Sequence, residues 1–169
     1  QVTPEQARSY YDSHPDEFVR PETVHARHIL IRADQAAAPD QAASAETRVR
    51  QLHRQAVGGT DFALLAAQHS EDPGSAQNGG DLSFFARGQM VPPFDSVAFA
   101  LAPGQISEPV RTQFGWHIIK VEERSPAGTY AFEEIAPRLQ MMLQRQRAGE
   151  QVQAYIEGLK KNAKIKRKV

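Results

Sequence analysis

Three observations predict an α+β domain for this 169-residue chain. Two strand-like runs, 23–32 and 116–123, each carry a histidine in phase with apolar residues. A glycine-bracketed apolar stretch, Asn78-Gly-Gly-Asp-Leu-Ser-Phe-Phe-Ala-Arg-Gly-Gln-Met-Val-Pro-Pro-Phe94, lies between them. The intervals show helical rather than alternating periodicity. The order strand, two helices, strand, helix, hairpin fits one mixed domain at 21–125. Helical patterns outside it leave an N-terminal arm, 1–20, and a C-terminal helix with a basic tail, 126–169.

The arm opens with a helix start signal: Thr3 suits a cap, Pro4 the first helical position, and Glu5 and Gln6 the positive dipole end. Ala7, Tyr10 and Tyr11 share a face, and His14-Pro15 ends the helix. In 23–32, Val24, Ala26, His28 and Leu30 alternate with His25, Arg27, Ile29 and Ile31. An Ala-rich polar connection, 33–44, leads to a helix predicted at 45–57, with Ser44 as cap, Gly58-Gly59 as stop, and Val49, Leu52, Ala56 and Val57 as core stripe. A second helix, 62–69, takes Thr60 or Asp61 as cap and turns Phe62, Leu65 and Ala66 inward.

Residues 70–80 are turn chemistry, 82–85 a short strand, and Arg87-Gly88 a further turn. A helix at 93–101 aligns Phe94, Val97, Ala98 and Leu101 and stops at Pro103-Gly104. An extended run, 106–110, and a turn at 112–115 lead into the last strand, where His117, Ile119 and Val121 share a face. From Phe132 a helical pattern continues to about 163, with Pro137 tolerable only near its start and Gly149 a weak point. Ile135, Leu139, Met142 and Leu143 form one apolar stretch, and Val152, Tyr155, Ile156 and Leu159 another. At ~1.5 Å per residue this element reaches roughly 45 Å, so its far end needs a partner or stays exposed.

Lys+Arg and Asp+Glu balance at 20 each, so no global field points to nucleic acid or an acidic membrane surface. The basic run 160–169 reads more simply as a helix C-terminus and solvated tail than as an anion site. The absence of cysteine excludes disulfides, thiolate metal sites and thiol nucleophiles. No apolar run approaches the ~20 residues that span a bilayer. With Gln first and no signal peptide visible, the sequence reads as a mature or excised piece whose missing start carries any signal or anchor.

Five pieces in order then resemble one family. His28-Ile-Leu-Ile, Ser70-Glu-Asp-Pro with Gly79-Gly-Asp-Leu-Ser-Phe-Phe, Gly88-Gln-Met-Val-Pro-Pro-Phe, Val97-Ala-Phe-Ala-Leu and Phe114-Gly-Trp-His-Ile-Ile-Lys-Val resemble the parvulin family of peptidyl-prolyl cis/trans isomerases. The resemblance implies a four-stranded antiparallel sheet surrounded by helices, a parvulin/FKBP-like fold. It also implies a substrate slot lined by Leu82, Met90 and Phe94, with Phe114 at its border. His28 and His117 match the family's paired histidines, Thr112 a third polar member, and Asp72 the position facing the reacting amide.

Such a set suits the reaction. An Xaa-Pro bond isomerises slowly across a barrier near ~20 kcal/mol set by amide resonance, and no bond is made or broken. The catalyst needs an apolar slot for the ring and a field that favours the twisted amide. Two neutral imidazoles each carry one donor and one acceptor, so they can share a hydrogen bond, as a structural floor or as part of the chemistry. Asp72 is either the field-setting carboxylate or a turn residue before Pro73. His28 and His117 lack a third ligand of convincing spacing, so neither a metal nor another cofactor is expected. His14, His25, His53 and His69 read as surface or packing residues.

Phosphate-directed parvulins carry a basic cluster after the first strand. Here that loop is Ala33-Asp-Gln-Ala-Ala-Ala-Pro-Asp, so no preference for phosphorylated motifs is expected. The flanking helices resemble those of the exported SurA- and PrsA-type foldases, whose arms build a chaperone module. The expected partners are therefore unfolded or extended proline-containing polypeptides in the bacterial cell envelope, with neither nucleic acid nor stable membrane insertion. Two rival readings stand beside the enzyme: a non-catalytic client-binding domain, and a homodimer formed through the C-terminal helix.

Overall fold

The structure is a computed structural model that describes residues 2–33 and 38–162, without the side chains of residues 161 and 162. Half of the loop expected to lack phosphate-binding charge (residues 34–37) and the end of the basic tail (163–169) lie outside the described residues. In chain order the elements are α1 (Pro4–Ser13), a 3-10 turn (Pro15–Phe18), β1 (Val19–Arg20), β2 (Thr23–Arg32), α2 (Pro39–Val57) and α3 (Phe62–His69). After a second 3-10 turn (Ala76–Asn78) come β3 (Asp81–Ala86), α4 (Pro92–Ala98), β4 (Val110–Thr112), β5 (Gly115–Ser125), β6 (Gly128–Thr129) and α5 (Phe132–Asn162). The chain divides into two compact units, residues 21–127 and residues 1–20 with 128–169.

The larger unit is built on a four-stranded antiparallel sheet ordered β3-β2-β5-β4. β2 and β5 form its centre, and their alternation sends side chains to two cores. Ile29, Ile31 and Ile118 pack with Val49, Leu52 and Ala56 of α2 and Phe62, Leu65 and Ala66 of α3. Val24, Ala26, Ile119 and Val121 pack on the other face with Phe85, Phe94, Ala98 and Phe99. The sequence places both faces of β2 and β5 correctly because along each of these two strands the residues of one core stay two apart.

Several boundaries differ from expectation. α2 begins at Pro39, six residues before the predicted start, and Ser44 caps nothing: Ala38 stands at the N-cap without a side-chain bond. Proline at the first turn forgoes an N–H that the helix leaves unpaired anyway, which outweighs the weak cap. Val57, assigned to the core stripe, is 62% exposed at the last helical position. α4 closes at Ala98 rather than 101, and in the extended run 106–110 the ladder contacts are a single bridge, Ile106 to Lys120, and Val110 opposite His117. For α3, Asp61 is the cap, its Oδ1 accepting from the Leu64 N–H at 2.7 Å.

Two glycines fix close backbone approaches. A Cβ on Gly80 (φ +75°) would lie 2.1 Å from the His28 carbonyl oxygen, and one on Gly115 (φ +139°) 2.2 Å from that of Ile31. Both conformations suit glycine alone, and both bring a neighbouring backbone close against β2.

In the smaller unit Thr3 caps α1 as predicted, and Gln6 completes a capping box with it. Tyr11 packs near Phe18 and Phe132 and donates its hydroxyl to the Tyr130 carbonyl at 2.6 Å. α5 is continuous through Pro137 and Gly149 over 31 residues. Leu139 is buried, whereas Val152, Tyr155, Ile156 and Leu159 are exposed.

Candidate active site

β2 and β5 pair so that His28 lies opposite Ile119 and His117 opposite Leu30, which makes the two histidines diagonal neighbours on one face. Their rings stack with centroids 5.4 Å apart, and the Phe94 ring of α4 stands edge-on to both, at 5.7 and 5.4 Å. Both histidines are nearly buried, at 6% and 4% exposed.

The turn segment before β3 is sewn to β2. Leu30 N–H donates to Ser70 Oγ, the Glu71 N–H to the Leu30 carbonyl, the Arg32 N–H to Glu71 Oε2, and the His28 N–H to the Gly80 carbonyl. This continues the ladder beyond β3 and brings Asp72 to His28. Asp72 Oδ2 lies 2.9 Å from His28 Nε2 and 2.5 Å from Ser75 Oγ, and Asp72 Oδ1 accepts from the Gly74 N–H at 3.2 Å.

Partial burial works to raise the Asp72 carboxyl, but the Ser75, His28 and Gly74 donors together hold its pKa down to about 2. Ionised, it only accepts, and that assigns every proton in the row. His28 Nε2–H donates to Asp72, so the neutral His28 presents a bare Nδ1. His117 Nδ1 lies 3.2 Å away and must be the donor. His117 Nε2 is then bare and accepts the Thr112 hydroxyl at 2.8 Å. Thr112 Oγ1 in turn accepts the Phe114 N–H at 3.1 Å. Burial disfavours the charged form of both rings: His28 is lowered, with Asp72 partly opposing, and His117 is lowered to about 4 by burial and by the neighbouring His28.

Above this row opens a cleft of about 880 Å³. His28, Asp72, His117, Leu82, Met90, Phe94 and Phe114 all line it, together with Leu30, Arg32, Pro73, Gln89, Val91 and Gln113. Thr112, 4% exposed, sits beneath the cleft rather than in its wall. Leu82 and Met90 also border the apolar core around Phe85 and Phe94, and Phe114 is 53% exposed at the mouth. All eight residues singled out in the sequence therefore meet at one place.

Ser75 escaped the sequence reading. It is buried and holds both Asp72 and His28 (3.0 Å to Nε2), and the signal was a hydroxyl three residues after a turn aspartate. Of the other histidines, His25 bonds Asp81 at 2.9 Å and His14 stacks on Tyr10 at 4.0 Å, both away from the cleft.

Residues 28–123 match the family model described as Rotamase, PPIC-type PPIASE domain. The chain is 38% identical over 141 residues to a protein named Chaperone SurA from Nitrosococcus oceani, covering 83% of this chain and 32% of that protein. It is 36% identical over 166 residues to Foldase protein PrsA from Caldanaerobacter subterraneus, covering 98% of this chain and 48% of that one. The chain thus spans half the length of these relatives or less. Among solved structures, one from a study of SurA-like chaperones of Campylobacter jejuni superposes with a TM-score of 0.69 at 29% identity, covering 99% of this chain and 65% of that one. Peptidylprolyl isomerase PrsA from Bacillus cereus gives 0.54 at 33%, covering 99% and 57%. With the paired histidines, the apolar cleft and the four-stranded sheet in place, the chain belongs to the PPIC-type, or parvulin, family of peptidyl-prolyl isomerases.

Proposed function

We propose that this cleft isomerises Xaa-Pro bonds in unfolded or extended polypeptides. The observation that carries the reading is the meeting, in one cleft, of an apolar slot with an ionised carboxylate held by a neutral polar row. Leu82, Met90 and Phe94 receive the proline ring: Phe94 gives a flat wall, and the flexible thioether of Met90 follows a rotating ring. Phe114 at the mouth covers the chain beside it. Asp72 sets the field. A fixed negative charge beside the carbonyl disfavours the planar form, in which that oxygen carries negative charge, and so favours the twisted amide in which resonance is lost. His28, His117 and Thr112 keep that carboxylate ionised and in place, and no step requires a proton to move.

The names of the relatives support a folding-assistance role, with clients met outside the cytoplasm. Among the described residues no helix is long and apolar enough to cross a membrane. In this reading residues 21–125 are the isomerase, and 1–20 and 126–169 contribute to a client-holding module. The exposed stripe Val152, Tyr155, Ile156 and Leu159 favours a second role for that helix, pairing with a second copy, which sedimentation across a concentration series tests.

The test of catalysis is NMR exchange between the cis and trans forms of a short Ala-Pro peptide. Accelerated exchange at substoichiometric protein is expected. No acceleration at a stoichiometric dose overturns the enzyme reading and leaves client binding.

A further inference from the structure

Leu82 reaches the cleft by an irregularity in β3. Along a regular strand, residues three apart face opposite ways. Yet Leu82 and Phe85, three apart, both pack toward the Phe94 core. Asp81 and Phe84, also three apart, both meet His25 on the other face: Asp81 through a 2.9 Å bond and Phe84 with its ring centroid 5.2 Å away. The pairing register shows the cause. His25 lies opposite Phe84 and Arg27 opposite Asp81, so two steps along β2 match three along β3. One residue of β3 is extra, a bulge of the kind that re-aims a side chain.

Ser83 makes that bulge. Its φ of +56° is the single positive value among the described non-glycine residues, and its side chain is exposed with no core to hold it there. A left-handed residue with a Cβ is disfavoured unless its surroundings over-determine it. Here the hold comes from Asp81. Its Oδ1 accepts the Ser83 N–H at 2.7 Å and faces His25 Nε2, while its Oδ2 pairs with the Arg27 guanidinium at 3.2 Å. Arg27 also donates to the carbonyls of Asn78 and Gly79, tying down the loop that enters β3, and pairs with Glu122 of β5.

We infer that Asp81, braced by His25 and Arg27, is a positioning residue that fixes the Ser83 bulge and thereby aims Leu82 into the cleft. It touches no substrate. Without the bulge, Leu82 would fall on the face of His25 and Phe84, and the slot would lose one wall. The inference rests on the proposed proline slot and extends it to a charged cluster on the opposite face of the sheet.

The test compares kcat/KM for an Ala-Pro peptide in five variants. L82A first checks the slot itself, and a roughly tenfold fall is expected, the lower end for losing an apolar pocket contact. D81A should match that fall. D81A/L82A should be no worse than L82A, because both act through one side chain. S83G, which adopts a positive φ freely, should keep wild-type activity, and D81A/S83G should recover most of what D81A loses. That rescue separates positioning from general destabilisation. An unchanged L82A rate overturns the slot reading, whereas a low L82A rate with an unchanged D81A rate, or additive losses in the double variant, overturns the inference about Asp81. If D81A does not fold, S83V attacks the same bulge from an exposed position, and a wild-type rate in S83V likewise overturns it. Leu82 methyl NOEs to the rings of Phe85 and Phe94, expected to vanish in D81A and return in D81A/S83G, read the bulge without activity; their persistence in D81A overturns the inference.

Discussion

Acidification should destabilise the larger unit well above the range where carboxylates titrate, and the cause is the histidine row. The His117 pKa is lowered from 6.5 to about 4 by burial and the adjacent His28. Between those values the unfolded chain binds a proton at this site and the folded chain does not, so stability rises with pH across the window. The contribution is complete above 6.5 and is lost as pH falls toward 4. A shift of that size corresponds to about 3 kcal/mol, of which roughly 2 kcal/mol has gone by pH 5. His28 is lowered as well and acts with the same sign. Asp72, a depressed carboxylate, acts with the same sign in a lower window: its contribution is intact above 3.8 and falls away only toward about 2, so it does not enter the window of His117. The assay is urea unfolding followed by fluorescence of Trp116, the one tryptophan of the chain, at pH 7.5, 6 and 5. H117N should flatten the dependence whatever it does to stability at pH 7.5. Equal stability of the wild type at pH 7.5 and pH 5, or a His117 ring that titrates near 6.5 by NMR, refutes the reasoning.

Thr112→Val keeps the shape of its site but removes the hydroxyl that donates to His117 and accepts from Phe114. A buried acceptor left unpaired costs about 1–3 kcal/mol, measurable as a lower urea midpoint. Asp72→Ala should lower kcat/KM for an Ala-Pro peptide by about tenfold or more, equivalent to ~1.4 kcal/mol of barrier, and an unchanged rate at intact stability removes the field-setting role. A peptide phosphorylated before its proline should bind no tighter by calorimetry than the unmodified peptide, since Arg32 is the one basic side chain besides the histidines among those lining the described cleft.

Much of this was legible because it rests on local chemistry. The alternation of 23–32 gives both faces of β2, and His28 falls in phase with Val24 and Ala26 because the extra residues of the neighbouring ladders lie in β3 and β5, not in β2 itself. The cleft lining was legible through the resemblance of short motifs to the parvulin family, whose Gly79-Gly80 pair includes a position where a Cβ would meet the His28 carbonyl oxygen. Less legible features depend on partners distant in sequence. Nothing in Leu82-Ser-Phe-Phe signals that Ser83 breaks the alternation, because the group that holds it there, Asp81, is itself braced by His25 and Arg27, more than fifty residues earlier. Ser44 has the composition of a cap, but the chain chose the stiffer start at Pro39. The exposure of Val57 follows from its place on α2: it is turned about 100° round the helix from Ala56, which still packs in the core with Val49 and Leu52.

The row of polar groups under the cleft has one self-consistent arrangement of protons, and its anchor is at the Asp72 end. Were Asp72 protonated, His28 could reverse, its Nδ1–H would meet the Nδ1–H of His117, and the row would fail at its centre unless His117 reversed as well. Ser75 and His28 prevent this by both serving Oδ2, which stabilises the ionised form and stops the carboxylate from turning. Oδ1 is left with the single Gly74 N–H at 3.2 Å, so its remaining lone pair is uncommitted among the described residues. A fixed charge is what resonance disruption needs. A carboxylate free to rotate would relax toward the substrate's N–H groups and stabilise the planar amide as readily as the twisted one. In the proposed mechanism the burial of the histidines thus works through Asp72: it denies them a charge of their own and leaves the cleft one oriented anion beside an apolar slot.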